Sequence, residues 1–192
     1  MGRKDCADFV KFFEISGRLK KVKRQGWLDR GVKCPESVAD HCFRVALMSM
    51  VLADVMKLDA CKAVRMALVH DLPEALCGDI ATRIKEESQQ ATNREKRLRE
   101  EKALKKILLS LDKKTGGKIF SLWREFEERK TREARLVYEL DRLEAIFQAA
   151  EYERAGNFAV SLQEFYDYAD ARIKKKRLRE IFTQLMEKRG LG

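Results

Sequence analysis

An all-α fold is predicted, on three observations. With 10 glycines and 2 prolines in 192 residues, the chain lacks the turn residues that an all-β fold needs roughly every 8 to 12 positions. Apolar residues recur three and four apart rather than in alternation, as in Val38, Val45, Met48, Leu52 and Val55. Helix-start signals head these runs, the clearest being Ser37 followed three residues later by Asp40.

About seven or eight helices follow in order. The first, Asp5 to Lys21, is expected to turn Phe9, Phe12, Phe13 and Leu19 inward, and Gly26 to Pro35 reads as a loop by its Gly, Pro and broken periodicity. Beyond the Ser37 cap a helix runs from Val38 to Lys57. Another covers Ala60 to Leu76, with Gly78 suited to its C-terminal cap and Pro73 placed to remove a backbone bond or kink it. Asn93 to Leu111 is a charged amphipathic helix whose mixed signs mark a solvated face. Gly116-Gly117 breaks the pattern before Ile119 to Arg129. The longest helix, Arg132 to Ala155, carries the stripe Leu136, Leu140, Leu143, Phe147 and Ala150, and two short helices, Ser161 to Ala171 and Lys174 to Lys188, end the chain. No repeat, low-complexity tract or linker divides it, so residues 1–192 are read as a single domain.

With 45% hydrophobic and 38% charged residues, the chain is too apolar to be disordered and too polar for a membrane protein. The most apolar stretch, Val45 to Met56, is broken by Ser49 and Asp54 and is too short to span a bilayer, and the N-terminus has no secretory apolar segment. Five cysteines, Cys6, Cys34, Cys42, Cys61 and Cys77, are odd in number and lack C-x-x-C spacing, which suits a reducing compartment. A cytoplasmic protein is expected. The net charge of +10 favours phosphorylated or polyanionic partners. Six cations in the eight positions from Arg172 to Arg179 form a basic C-terminal helix, read as a solvated face because no aromatics interleave them; binding of long nucleic acid is not expected.

Both histidines fall where burial is expected. His41 takes a core-facing place in the stripe Val38, His41, Val45. His70 and Asp71 lie within the run Met66 to Leu72, apolar enough to be buried on most sides, and Asp141 sits beside the apolar stripe of the longest helix. Singly, each is more often a satisfied core residue or an ion-pair member than a ligand. Together they bring two imidazoles and two carboxylates from three helices toward a bundle core, a set that suits one divalent ion.

The pattern H…HD…D, set in PESVADHCFRVALMSMVLAD, ALVHDLPEALCGDI and LDRLEAIFQAAEYE, resembles the HD-domain phosphohydrolases, specifically their 5′-deoxynucleotidase branch, over about residues 9–168. The resemblance implies an HD-domain helical bundle with a central metal site, one divalent ion (Mn, Co, Mg or Zn), a homodimer, and hydrolysis of deoxynucleoside 5′-monophosphates. Carried onto matching positions, it implies His41, His70, Asp71 and Asp141 as metal ligands and Glu74 and Asp79 as catalytic residues. Glu74 stands one turn after His70 and can reach the attacking water or the substrate, and a dry setting near other carboxylates would make it hold a proton longer. Thr82, in the same loop as Asp79, is a candidate phosphate donor. Trp27 resembles the family's pocket tryptophan and offers a plane on which a base can stack; where bacterial members often carry an arginine before it, this chain has Gly26, leaving Arg24 or Arg30 to meet the phosphate. Glu144, one turn after Asp141, is placed to orient a ligand, while Glu36 and Ser37 read as capping. Two other readings remain: an HD hydrolase for a triphosphate, cyclic or alarmone nucleotide, and a basic helical nucleic-acid-binding protein with a structural metal.

Overall fold

The computed structural model describes residues 3–80 and 92–190. Within them, eight long helices stand where the apolar spacing puts them, and two single helical turns lie between: α1 Arg3–Ser16, α2 Gln25–Leu28, α3 Val38–Val55, α4 Ala60–Val69, α5 Glu74–Cys77, α6 Asn93–Leu108, α7 Lys113–Glu128, α8 Arg132–Arg154, α9 Gln163–Arg172 and α10 Lys176–Gly190. No strand occurs among the described residues, and none of their helices is long and apolar enough to cross a membrane.

Caps set the starts. Ser37 Oγ accepts from the Asp40 N–H, and the Asp40 carboxylate accepts from the Ser37 N–H at 2.8 Å, the reciprocal arrangement expected from the sequence. Thr131 does the same one-sidedly for α8. Asp112 accepts from the N–H groups of Lys114 and Thr115 and starts α7 six residues before Ile119. The Gly116-Gly117 pair therefore lies inside a helix instead of breaking one. Gly116 is buried against the end of α6, where a Cβ would meet the Leu108 carbonyl oxygen at an ordinary contact distance of 3.5 Å.

Other boundaries differ from expectation for local reasons. After Ser16 the first helix tightens to a 3₁₀ turn, Gly17–Lys20. Its neighbours are that turn, α5 and α6, which cover one narrow face, so Ile15 and Leu19 are buried and Phe12 packs beside them while Phe13 stays exposed. Helix α4 is covered by α3, α7 and α8, and its fourth side leaves Leu68 exposed; Val55, at the end of α3, is exposed as well. The region expected as one helix to Leu76 is interrupted. Helix α4 stops at Val69, and Pro73, which has no N–H to continue the ladder, heads the single turn α5. Gly78 closes that turn with φ of +76°, its N–H donating to the Glu74 carbonyl at 2.9 Å. Trp27 and Leu28, expected in a loop, lie in α2.

Two apolar clusters form the core. One lies among α3, α4, α8, α9 and α10 and includes Val45, Met66, Leu140, Leu143 and Ile173; the other, with Leu72, Leu104, Ile107 and Trp123, lies beneath α1. Helix α3 serves both, giving Val38 and Cys42 to the second and Val45 and Ala53 to the first, and His41 falls between. The basic C-terminal run is partly neutralised: Glu139 accepts from the N–H groups of Lys174 and Lys175, Lys175 Nζ lies 3.2 Å from Glu139, and Arg179 pairs with Asp170 at 2.7 Å.

Candidate functional site

One turn into α3, His41 is fully buried, and its Nδ1 meets the Glu144 carboxylate of α8. A carboxylate accepts, so Nδ1 carries a hydrogen, and in the neutral form of the ring the lone pair lies at Nε2. Glu144 is held in turn by Arg44 Nε at 2.9 Å. At the end of α4, His70 Nδ1 donates to the Ala67 carbonyl at 2.7 Å, which fixes that ring in the same sense. The two imidazoles thus point Nε2 toward one place, each steered through its other nitrogen.

Asp71 Oδ2 lies there, 3.1 Å from His70 Nε2 and 3.7 Å from His41 Nε2, and Asp141 Oδ1 approaches His41 Nε2 to 3.3 Å. His41 Nε2, His70 Nε2 and Asp71 Oδ2 are buried without a hydrogen-bond partner, and ligand atoms of the three residues fall within 4.8 Å of one another. Each orphaned buried atom costs about 1–3 kcal/mol. A cation among them would satisfy all three, and the donor set of two nitrogens and carboxylate oxygens fits a divalent ion. The electrostatics agree. Burial and Arg24 press the His41 pKa down, yet Glu144 and Asp141 overcome them and lift it to about 10. Burial works against the charge on Asp71 and Asp141, but His70 and His41 hold the first below the usual carboxylate range, and Arg142 and His41 hold the second there. Ionised Asp71, Asp141 and Glu144 favour positive charge at this place, carried either by the imidazole rings or by a cation that displaces their protons.

The break between α4 and α5 places further groups beside this cluster. Glu74, 1% exposed, leaves Oε2 unpartnered. Burial first, then Asp71 and Asp79, hold its carboxyl well above the usual range. Asp79 Oδ2 accepts from the Gln25 N–H at 2.6 Å, tying the end of α5 to the start of α2. Arg24, just before α2, brings Nη1 to 3.5 Å from Asp71 Oδ2. Lys96 on α6 was passed over in the sequence as part of a solvated face. Its Nζ instead donates to the Ile80 carbonyl at 2.9 Å and lies 3.5 Å from Glu100, and it faces Glu74 and Asp79. The only sequence signal is an i,i+4 Lys–Glu spacing, which is common on surface helices.

Arg24, Asp71, Glu74, Asp79, Lys96 and Asp141 line a cavity of about 360 Å³. Arg30 also lines it, but pairs with Glu164 of α9. Trp27 lines it at 1% exposure. Phe165 stacks on the indole with ring centroids 4.0 Å apart, Tyr152 packs on it edge-on, and Nε1 donates to Glu36 at 2.8 Å. The plane expected to receive a base is therefore already covered by Phe165. A Cβ at Gly26 would come within 3.1 Å of the Phe165 ring, so Phe165 occupies the space a side chain at position 26 would need. Glu36, expected to cap, holds Trp27 instead, and its N–H donates to the Tyr152 hydroxyl. Thr82 lies outside the described residues.

Residues 16–182 match the family model described as an HD domain. The chain belongs to the HD-domain family. The 5′-deoxynucleotidase HDDC2 of Dictyostelium discoideum is 38% identical over 189 residues, spanning 93% of this HD-domain chain and 97% of that relative. Human 5′-deoxynucleotidase HDDC2 is 37% identical over 181 residues, covering 94% of this chain and 86% of its own. Among solved structures, a conserved hypothetical protein from Pyrococcus furiosus superposes with a TM-score of 0.75 at 34% identity, over 93% of this chain and 99% of that one.

Proposed function

We infer that this HD-domain protein is a divalent-metal-dependent 5′-deoxynucleotidase, releasing phosphate and a deoxynucleoside from deoxynucleoside 5′-monophosphates. One observation carries the reading: the orphaned atoms of His41, His70 and Asp71 converge, with Asp141 beside them, next to a proton-retaining Glu74 in a cavity wall. The deoxynucleotidase relatives supply the substrate class. His41, His70, Asp71 and Asp141 would hold one divalent ion, Mn, Co, Mg or Zn. When bound, such an ion polarises a phosphoryl oxygen and acidifies a coordinated water.

The protein's own groups do the rest. Arg24 meets the phosphate charge from the α2 side, beside Asp71. Glu74, whose burial favours the protonated form, moves a proton between the attacking water and the leaving 5′-oxygen. Asp79, anchored by the Gln25 N–H, holds the ester end of the substrate. Glu144 keeps the His41 lone pair aimed inward. The reading includes a single HD domain over residues 1–192, a homodimer, as the family resemblance implies, and a cytoplasmic protein, in keeping with the free thiols of Cys34, Cys42, Cys61 and Cys77.

Stripping the metal, restoring Mn, Co, Mg or Zn, and measuring phosphate release from deoxy- and ribonucleoside 5′-monophosphates and from triphosphates tests the reading, with Glu74→Ala as control. Metal-restored release from the deoxy monophosphates, lost in Glu74→Ala, is expected. Release from triphosphates alone would overturn the substrate. No turnover with any metal would shift the assignment to a basic binding protein.

A further inference from the structure

Part of the cavity wall is built by arginines and tyrosines in alternation. The Arg129 guanidinium carbon lies 4.1 Å from the centre of the Tyr138 ring, and Arg142 lies 3.6 Å from the same ring. Arg142 is also 6.0 Å from the Tyr168 ring, over which Arg172 stacks at 3.5 Å. All five side chains line the cavity. The ladder starts at the candidate metal cluster, because Arg142 pairs with its sequence neighbour Asp141, and crosses from α8 to α9. Stacking occupies the flat faces of the guanidiniums and leaves their N–H edges to find acceptors. The backbone supplies some: Arg142 Nη1 donates to the Tyr138 carbonyl at 3.0 Å and Arg172 Nη1 to the Tyr168 carbonyl at 3.3 Å, which leaves their other N–H groups. Arg142 Nε is buried with no hydrogen-bond partner, and neither Arg129 nor Arg172 pairs with a carboxylate among the described residues.

We propose that this ladder is the base-binding wall of the site and selects bases that present oxo groups, guanine and thymine, over those that present amino groups at the corresponding edge, adenine and cytosine. A wall of N–H donors is complementary to guanine O6 and N7 or thymine O4, and it opposes the N–H₂ donors of adenine N6 and cytosine N4. The tyrosine rings hold the guanidiniums in place, and the guanidinium edges give the discrimination. The proposal rests on the nucleotidase reading for the presence of a base, and it assigns a preference that reading leaves open.

The test separates the two. Binding of the four deoxynucleosides, which carry no phosphate, is measured by calorimetry alongside kcat/KM for the four 5′-monophosphates. Deoxyguanosine and thymidine are expected to bind about tenfold more tightly than deoxyadenosine and deoxycytidine, with the same order in kcat/KM. Arg172→Met is expected to bring the ratio to within about twofold. Arg172→Lys should do so as well, since it keeps the charge but loses the planar fork. Arg129→Met, just past the end of α7, serves as a second variant, and circular dichroism melts check that each variant folds. Equal binding of all four nucleosides by the wild type overturns the proposal. So does an Arg172→Met variant that weakens all four alike, because that marks the ladder as charge alone. Turnover without base preference removes the ladder proposal and leaves the nucleotidase reading standing; oxo-base preference in binding without turnover of any monophosphate does the reverse.

Discussion

His41 meets Glu144 through Nδ1 and turns Nε2 toward Asp71 and Asp141. A single ring thus ties a buried carboxylate on α8 to the candidate ligands, and removing the far partner should loosen the near ones. Glu144→Gln is expected to weaken metal affinity by about 10–100-fold, read by titrating Mn into the stripped protein and following its electron paramagnetic resonance signal. In the same assay Glu74→Gln should leave Mn affinity within a few fold while lowering kcat by about 10²–10⁴-fold; equal losses in both variants would contradict the division of roles. At this scale much was legible. A polar residue in a 3-4-spaced apolar stripe announces itself, as His41 does, and so does a polar pair inside a continuous apolar run, as His70 and Asp71 do; Glu144 is visible as one turn from Asp141. Lys96 was not, because a Lys–Glu pair at i,i+4 looks the same whether it faces water or a cavity. Trp27 was legible as a cavity residue, but Phe165, the partner covering its ring, stands 138 positions away, and no local pattern links them.

Interrupting a helix is what brings Asp71 and Glu74 into the same wall. Had α4 continued without Pro73, its regular ladder would fix their relative directions by the helical repeat; the break at His70 to Pro73 and the restart at Glu74 free the chain to set them separately. Proline made the interruption legible in the sequence, though its form, a stop and a new single turn, depends on Leu72 and Ala75 being buried under α1 and α6. The start of α7 differs from expectation because the Asp112 cap begins the helix ahead of the glycine pair, and two glycines weaken a helix without ending it. Capping energies put a figure on such signals. Ser37→Ala removes one side of the reciprocal cap on α3 and is expected to destabilise the fold by about 1 kcal/mol, read as a lower urea midpoint with an unchanged slope; a shift near zero would mean that Asp40 alone holds the helix start.

Across the whole molecule, burial of charge gives stability a pH dependence. Burial raises the Glu100 carboxyl, Lys96 pulls it down, and Asp71 and Glu127 add to the rise, leaving it at about 7 against an ordinary value of 4.5. Between those values the folded protein retains a proton that the unfolded chain has released. Stability therefore falls as pH rises through that window and levels off above about 7. Glu100→Gln is expected to remove a decline on the order of 2–3 kcal/mol between about pH 5 and about pH 8, measured by urea unfolding; an unaltered decline would assign it to other groups. The all-helical architecture was legible at this scale because spacing and caps are local. The meeting of α2 with α9 was not, since it joins distant stretches of chain through Phe165 over Gly26 and Arg30 with Glu164. That contact makes positions 26 and 165 epistatic. Gly26→Arg alone should displace the Phe165 ring and lose both stability and turnover, whereas the same change made after Phe165→Ala should be tolerated, giving a coupling of about 0.5–3 kcal/mol in a double-mutant cycle. The order of substitution then matters: a lineage can place a cation ahead of Trp27 only after α9 has given up its ring.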